Sequence, residues 1–331
     1  MEMKLPIGVI GVGHLGSLHA KMLAKISSAD LVGIYDADRV RAEKIAGEYN
    51  TKIFTSIDDL LNNVKAVCIA TPTTSHFEIA REAIDKRVHL FIEKPITHTT
   101  EEAEILVKEA EENKVKIQVG HIERFNPALL ALETYKLNPM FIESHRLAQF
   151  NPRGTDVAVV LDLMIHDIDI ILSLVQSPVV NIEANGVAVV SDKIDIANAR
   201  LQFENGCVAN VTASRISQKK MRKMRLFQRD AYISIDFSDG TAEVFRLVDE
   251  TEKVENLAMM LGQINAGTKN RNIVFEKPEI KDVNALMYEL KLFVDAIQKD
   301  VQPVVTGKDG LQALKVAHDI ISKINQQSIS F

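Results

Sequence analysis

A chain of 331 residues is long enough for about two domains with substantial cores. Its composition, 46% hydrophobic and 25% charged, is that of a globular protein, and a net charge of −6 argues against a general nucleic-acid surface. No apolar run approaches the length of a membrane span, and the opening stretch MEMKLPIGVI shows no cleavable signal peptide. The two cysteines, Cys68 and Cys207, sit in separate strand-like runs and read as buried free thiols, so the expected compartment is the cytoplasm.

Strand and helix signals alternate over the first 120 residues. Ile7 to Ile10 reads as a buried strand, Ser17 to Ile26 as a helix and Leu31 to Tyr35 as a second strand. Helices follow at Arg39 to Tyr49, Ile57 to Asn62 with Ser56 as cap, Ser75 to Lys86, and Thr100 to Asn113 behind Thr99 or Thr100. Short strands lie between them at Lys52 to Phe54, Ala66 to Ala70, Val88 to Ile92 and Lys116 to Val119. This rhythm predicts a parallel sheet covered on both faces, an α/β domain over residues 1–122.

The rhythm changes after Gly120. Helices are expected at Pro127 to Tyr135 and Val157 to Val175, with a strand at Met140 to Leu147. From Val179 to Arg246 strands dominate, with Glu204-Asn205-Gly206 as a hairpin turn. Residues 250–280 read as polar loops, and Val283 to Gln298 and Leu311 to Gln326 as closing helices. Residues 123–331 are thus expected to form an α/β domain on a large open, mostly antiparallel sheet, the C-terminal helix packing back on the first domain. Helices cover one face; Val187, Val189, Leu201 and Phe203 are expected on the other, against a second subunit in a homodimer or homotetramer.

Four stretches carry chemistry. Gly11-Val12-Gly13-His14-Leu15-Gly16 lies between a strand and a helix, and Asp36 ends the next strand twenty residues beyond Gly16. That is the order of a dinucleotide-binding Rossmann unit: Gly11 for the turn, Gly13 for the pyrophosphate, Gly16 for close packing, Asp36 for the ribose diol. The acid favours NAD, although Arg39 just beyond it suits a 2′-phosphate. Thr71, Pro72, Thr73 and His76 follow the fourth strand and line the same crevice, or simply make a capped turn. Glu93-Lys94-Pro95 ends the fifth strand, where a buried ammonium needs a reason and suits proton transfer; its bland reading is a salt bridge. Asp162, His166 and Asp169 share a helix face by spacing, which serves acid–base work, a metal, or merely a satisfied core histidine.

Together, GxGxxG with Asp36, the EKP of Lys94 and the D-x-x-x-H of Asp162 and His166 resemble the glucose–fructose oxidoreductase/inositol dehydrogenase/MocA family over essentially the whole chain. The resemblance implies that Lys94 is catalytic, that Asp162 and His166 sit against substrate and nicotinamide, that the open sheet makes dimers or tetramers, and that no metal is involved. The stretches 120–127 and 162–169 resemble the branch that oxidises the 3-hydroxyl of UDP-N-acetylglucosamine or its uronic acid. His121, Arg124, Asn126 and Arg153 are then substrate candidates, against a reading as a helix cap and surface arginines. The run 219–225 is strongly basic and reads as a solvated strand face. Two other functions stay open: a dehydrogenase or reductase of free sugars or inositol-type polyols, and a non-catalytic NAD-binding regulator.

Overall fold

The computed structural model describes residues 3–151, 157–249, 259–266 and 269–328. The chain divides into two compact units, Met1–Ile122 with Asn284–Lys315 and Glu123–Val283 with Val316–Phe331.

In the first unit, β1 (Leu5–Ile10), β2 (Ala29–Tyr35), β3 (Lys52–Ile53), β4 (Ala66–Ile69), β5 (His89–Glu93) and β6 (Ile117–Gly120) form a parallel sheet in the order β3-β2-β1-β4-β5-β6. The central strand β4, AVCI, is buried along its whole length, because both faces are covered there. The order reverses between β1 and β4, which opens a crevice at their carboxyl ends. The helices are α1 (His14–Leu23), α2 (Arg39–Tyr49), α3 (Ile57–Leu61), α4 (His76–Asp85) and α5 (Thr100–Glu112). Side chains of Asp38, Ser56 and Thr99 cap α2, α3 and α5, the last in a reciprocal capping box with Glu102. The helix expected from Ser17 starts at His14, because the glycine turn runs directly into it.

In the second unit, α6 (Pro127–Leu130) is followed by β7 (Phe141–Leu147), and a π turn (Val160–Met164) leads into α7 (Ile165–Val175). Then come β8 (Val179–Val187), β9 (Ile196–Phe203), β10 (Val208–Ser214), β11 (Met221–Phe227), β12 (Ala231–Asp236), β13 (Thr241–Asp249), β14 (Met259–Ala266) and β15 (Lys269–Glu276). They make a nine-stranded sheet in the order β14-β15-β13-β12-β11-β7-β10-β9-β8, in which β7 and β10 run parallel and the other described neighbours antiparallel.

Several expectations are corrected here. Within residues 250–280 lie β14 and β15; the polar residues of β15 hid an alternation in which Asn272 and Val274 are buried and Ile273 and Phe275 turn outward. The helix expected over 127–135 stops at Leu130, and Leu132 and Tyr135 bond three residues back as successive turns. Leu201 and Phe203 are buried on the inner face of β9, not on its open face. Val187 and Val189 are exposed at the end of β8 and in the turn beyond it. In the β9–β10 hairpin Gly206 adopts a positive φ of 85°.

The last helices are α8 (Ala285–Gln298) and α9 (Gly307–Ser328). Leu290, Phe293 and Val294 of α8 enter the core of the first unit with Ile7, Val9, Leu23 and Phe91. The Phe91 and Phe293 rings meet edge to face at 5.8 Å. Both cysteines are buried and free. Among the described residues no helix is long and apolar enough to cross a membrane.

Candidate active site

The crevice of the first unit begins at the glycine turn. Gly11 has φ +81°, and a Cβ at Gly16 would lie 1.7 Å from the Gly11 carbonyl oxygen, so neither position admits a side chain. A Cβ at Gly13 would meet nothing within 4 Å, which leaves its backbone open to a ligand. No side chain caps α1 and no acid sits in its first turn, so its leading N–H groups are available to an anion. His14 and Leu15 are exposed on that turn.

Asp36 closes the cradle. Its Oδ2 accepts the Val12 N–H at 2.7 Å and its Oδ1 accepts the Asp38 N–H at 2.8 Å. The remaining lone pairs suit a ribose diol. Arg39 turns to Glu43 at 3.0 Å on the exposed face of α2, while Arg41 stands 3.5 Å from Asp36. An open glycine backbone, an uncapped helix and an acid tied to the turn together fit a dinucleotide.

Across the crevice, Thr71 and Ser75 place their hydroxyls 2.8 Å apart, with Thr73 half-buried and Pro72 exposed. His76 is buried, and its ring joins two loops: Nε2 is 3.0 Å from the Thr71 carbonyl and Nδ1 is 3.0 Å from the Pro95 carbonyl. A neutral imidazole donates to only one of these acceptors. Burial lowers the His76 pKa, and the two carbonyls and Glu93 only partly offset it.

β5 ends in Glu93, half-buried Lys94 and Pro95, with a cis Lys94–Pro95 bond. Glu93 Oε1 is 2.8 Å from His19 Nε2, and its Oε2 accepts the Lys94 N–H at 3.2 Å. Burial pushes this carboxyl up, but the His19 hydrogen bond and charge, the Lys94 ammonium and the Lys94 N–H outweigh it, leaving the group below its ordinary value. Gly120 pairs with Glu93 across β5 and β6, and a Cβ there would lie 3.0 Å from Oε2. Sequence reading singled out neither His19 nor Gly120 as functional; the signal for His19 was a histidine on the sheet-facing side of α1. His121, just past β6, is buried. Burial, with the charges of Glu93 and Glu289, raises Cys68 well above its usual value and keeps it a thiol.

In the second unit, Asp162 lies in the π turn and His166 at the start of α7, both half-buried. The neighbouring carboxylates each hold an arginine. Asp169 takes both arms of Arg124 at 2.7 Å. Asp167 binds Arg146 Nε at 2.6 Å and Ser144 Oγ at 2.9 Å, and Arg146 reaches Glu123 at 2.9 Å. Burial works against the Arg146 charge, yet Asp167 and Glu123 raise its pKa above the usual value. Asn126 caps α6 through Ala128 N–H and donates to the Phe237 carbonyl. Arg124 and Asn126 therefore both engage this buried frame. Arg153 lies outside the described residues. Of the basic run, Arg222 faces Glu123, Lys223 faces Asp236 and Arg225 faces Glu143.

Comparison with known proteins agrees with this arrangement. Residues 5–121 match the model of an oxidoreductase family with an NAD-binding Rossmann fold, and residues 139–243 match the GFO/IDH/MocA C-terminal domain. The chain is 44% identical over 239 residues to UDP-N-acetylglucosamine 3-dehydrogenase of Acidithiobacillus ferrooxidans, covering 72% of this chain and 76% of that protein. A solved structure of a UDP-N-acetylglucosamine 3-dehydrogenase from the same organism superposes with a TM-score of 0.86 at 36% identity over 97% of this chain and 98% of that one. Inositol 2-dehydrogenase of Rhizobium meliloti is 24% identical over 98% of both chains.

The buried His76 has a measurable consequence. Its folded pKa lies below the unfolded value of about 6.5, so the unfolded chain binds its proton more readily. Stability should fall as pH drops below about 6.5, toward and through the folded value. His76→Gln, which does not titrate, should show a shallower decline in denaturant midpoint over that window; parallel declines would remove His76 as a source.

Proposed function

The chain belongs to the glucose–fructose oxidoreductase/inositol dehydrogenase/MocA family, and we propose that this NAD-dependent oxidoreductase oxidises the 3-hydroxyl of a UDP-N-acetylated sugar to a 3-keto sugar. The observation that carries the reading is Lys94, half-buried beside Glu93 at the end of β5, in the unit whose glycine turn is closed by Asp36. The identity to the nucleotide-sugar enzyme supports the substrate class.

Bound NAD supplies the hydride acceptor. The Lys94 amine takes the hydroxyl proton as the sugar C–H bond gives up its electron pair and the carbonyl forms. His166 is the alternative acceptor and otherwise holds the reacting hydroxyl, with Asp162 orienting it. Gly11, Gly13 and Gly16 fix the pyrophosphate on α1, and Asp36 holds the ribose. Arg124 and Asn126 hold the sugar nucleotide indirectly, by fixing α7 and the start of α6. The two buried thiols accord with a reducing, cytoplasmic setting.

Purified protein mixed with NAD should produce reduced nicotinamide with UDP-N-acetylglucosamine and not with free N-acetylglucosamine or inositol. Signal from inositol alone would move the chain to the polyol branch, and silence with every substrate despite NAD binding would favour a regulator. Lys94→Ala should abolish turnover while NAD affinity stays; full activity in that variant would end the assignment.

We also propose that the open sheet face binds a second copy of the chain. Phe141, Phe227, Tyr232, Phe245 and Phe275 stand directly opposite one another on five neighbouring strands, with ring centroids 4.9 to 5.8 Å apart. Met259, 61% exposed, extends the row onto β14. Beside it, the Arg225–Glu143 and Lys223–Asp236 pairs carry both signs, as a self-complementary surface requires. Light scattering should give two or four chains per particle for the native protein and one for Tyr232→Glu/Phe245→Glu. An unchanged mass in that variant would contradict the interface.

A further inference from the structure

We propose that His19 is a positioning residue for Lys94, acting through the Glu93 carboxylate; this rests on the role given to Lys94 above. The route is short and buried. The His19 side chain is 1% exposed, and its Nε2 meets Glu93 Oε1 at 2.8 Å. A carboxylate only accepts, so the ring must donate. The other carboxylate oxygen accepts the Lys94 backbone N–H. The Nδ1 of His19 has no hydrogen-bond partner among the described residues, and the ring packs edge-on against Phe91 at 5.1 Å. The imidazole is thus spent on one acceptor.

The carboxylate sits closely against Gly120, where a Cβ would lie 3.0 Å from Oε2 and press on it. Packing alone would place an apolar residue at the end of β5, not a carboxylate that burial disfavours. On its other side, the Lys94–Pro95 segment is held by His76 at the Pro95 carbonyl. Lys94 is therefore flanked by two residues, each fastened to a buried histidine on a different helix.

The titratable groups around Glu93 are His19 from α1, Cys68 from β4, His76 from α4 and Lys94 itself; Glu289 from α8 acts on Cys68. Without its donor from α1, the Glu93 carboxylate is no longer held in place beside Lys94. Lys94 then loses a nearby anion, and its ammonium form is less favoured.

The test compares His19→Phe, which keeps a ring against Phe91 but donates nothing, with His19→Gln, whose amide donates in the same direction. His19→Leu stands in should the larger ring not fit. Competitive acetylation of the Lys94 amine across pH, read by peptide mass spectrometry, needs no turnover. In His19→Phe the labelling midpoint should move to lower pH. With NAD and UDP-N-acetylglucosamine, at a pH above both labelling midpoints where the amine is free in either protein, kcat should fall about 10- to 100-fold through lost placement of Lys94, the scale of one hydrogen bond to a charged group, while KM for NAD stays unchanged. His19→Gln should restore both. A Lys94 labelling curve identical to the native one in His19→Phe would overturn the proposal. So would equal losses in both variants that track melting temperature, which would make His19 a packing residue. If the native protein transfers hydride from no sugar, the proposed function falls, and the labelling comparison alone decides the role of His19.

Discussion

Between Gly11 and Gly16 there is no room for a methyl group, and the architecture of the first unit follows from that closeness. The turn after β1 must fold back tightly enough for the first turn of α1 to touch the Gly11 carbonyl. This aims the uncapped helix end into the crevice where the strand order reverses. Asp36 reinforces the turn from β2 by accepting the Val12 N–H, so the same carboxylate that suits a ribose also holds the loop. β4 and β5 end on the same edge and bring up Thr71 and Lys94.

The second unit uses a different principle. Its helix α7 is tied to the rest of the unit by buried charge. Arg124 and Arg146 grip Asp169 and Asp167, three residues and one residue beyond His166. Removing one partner of such a pair costs about 3–5 kcal/mol, because the other charge stays buried. A pair of that kind adds little net stability over apolar packing. The π turn at Val160–Met164 introduces a local irregularity where Asp162 stands, as such turns often do at functional sites.

Much of this was legible in the sequence, for identifiable reasons. The glycine spacing and Asp36 are dictated by backbone geometry, so they announce the cradle directly. Ser56 and Thr99 cap because their hydroxyls accept helix N–H groups, a local rule. What stayed hidden depends on long-range partners. Asp169 shares a helical face with Asp162 by spacing, but its ion pair with Arg124, 45 residues away, has no local signal. His19 and Glu93 are 74 residues apart, and nothing local in either segment reveals the pair. β14 and β15 were missed because their apolar residues, MML and IVF, are short runs within a polar stretch, and at the rim of a sheet neighbours rather than propensity decide. The aromatic row across the open face is likewise invisible until the strands are in register.

The central claim is that this chain moves a hydride from a sugar ring carbon to NAD. The most direct measurement uses UDP-N-acetylglucosamine carrying deuterium at C3, with mass spectrometry of the nicotinamide formed. The deuterium should arrive intact in the reduced cofactor as the sugar becomes a 3-keto product. Reduced cofactor without the label, or label released to water, would contradict it.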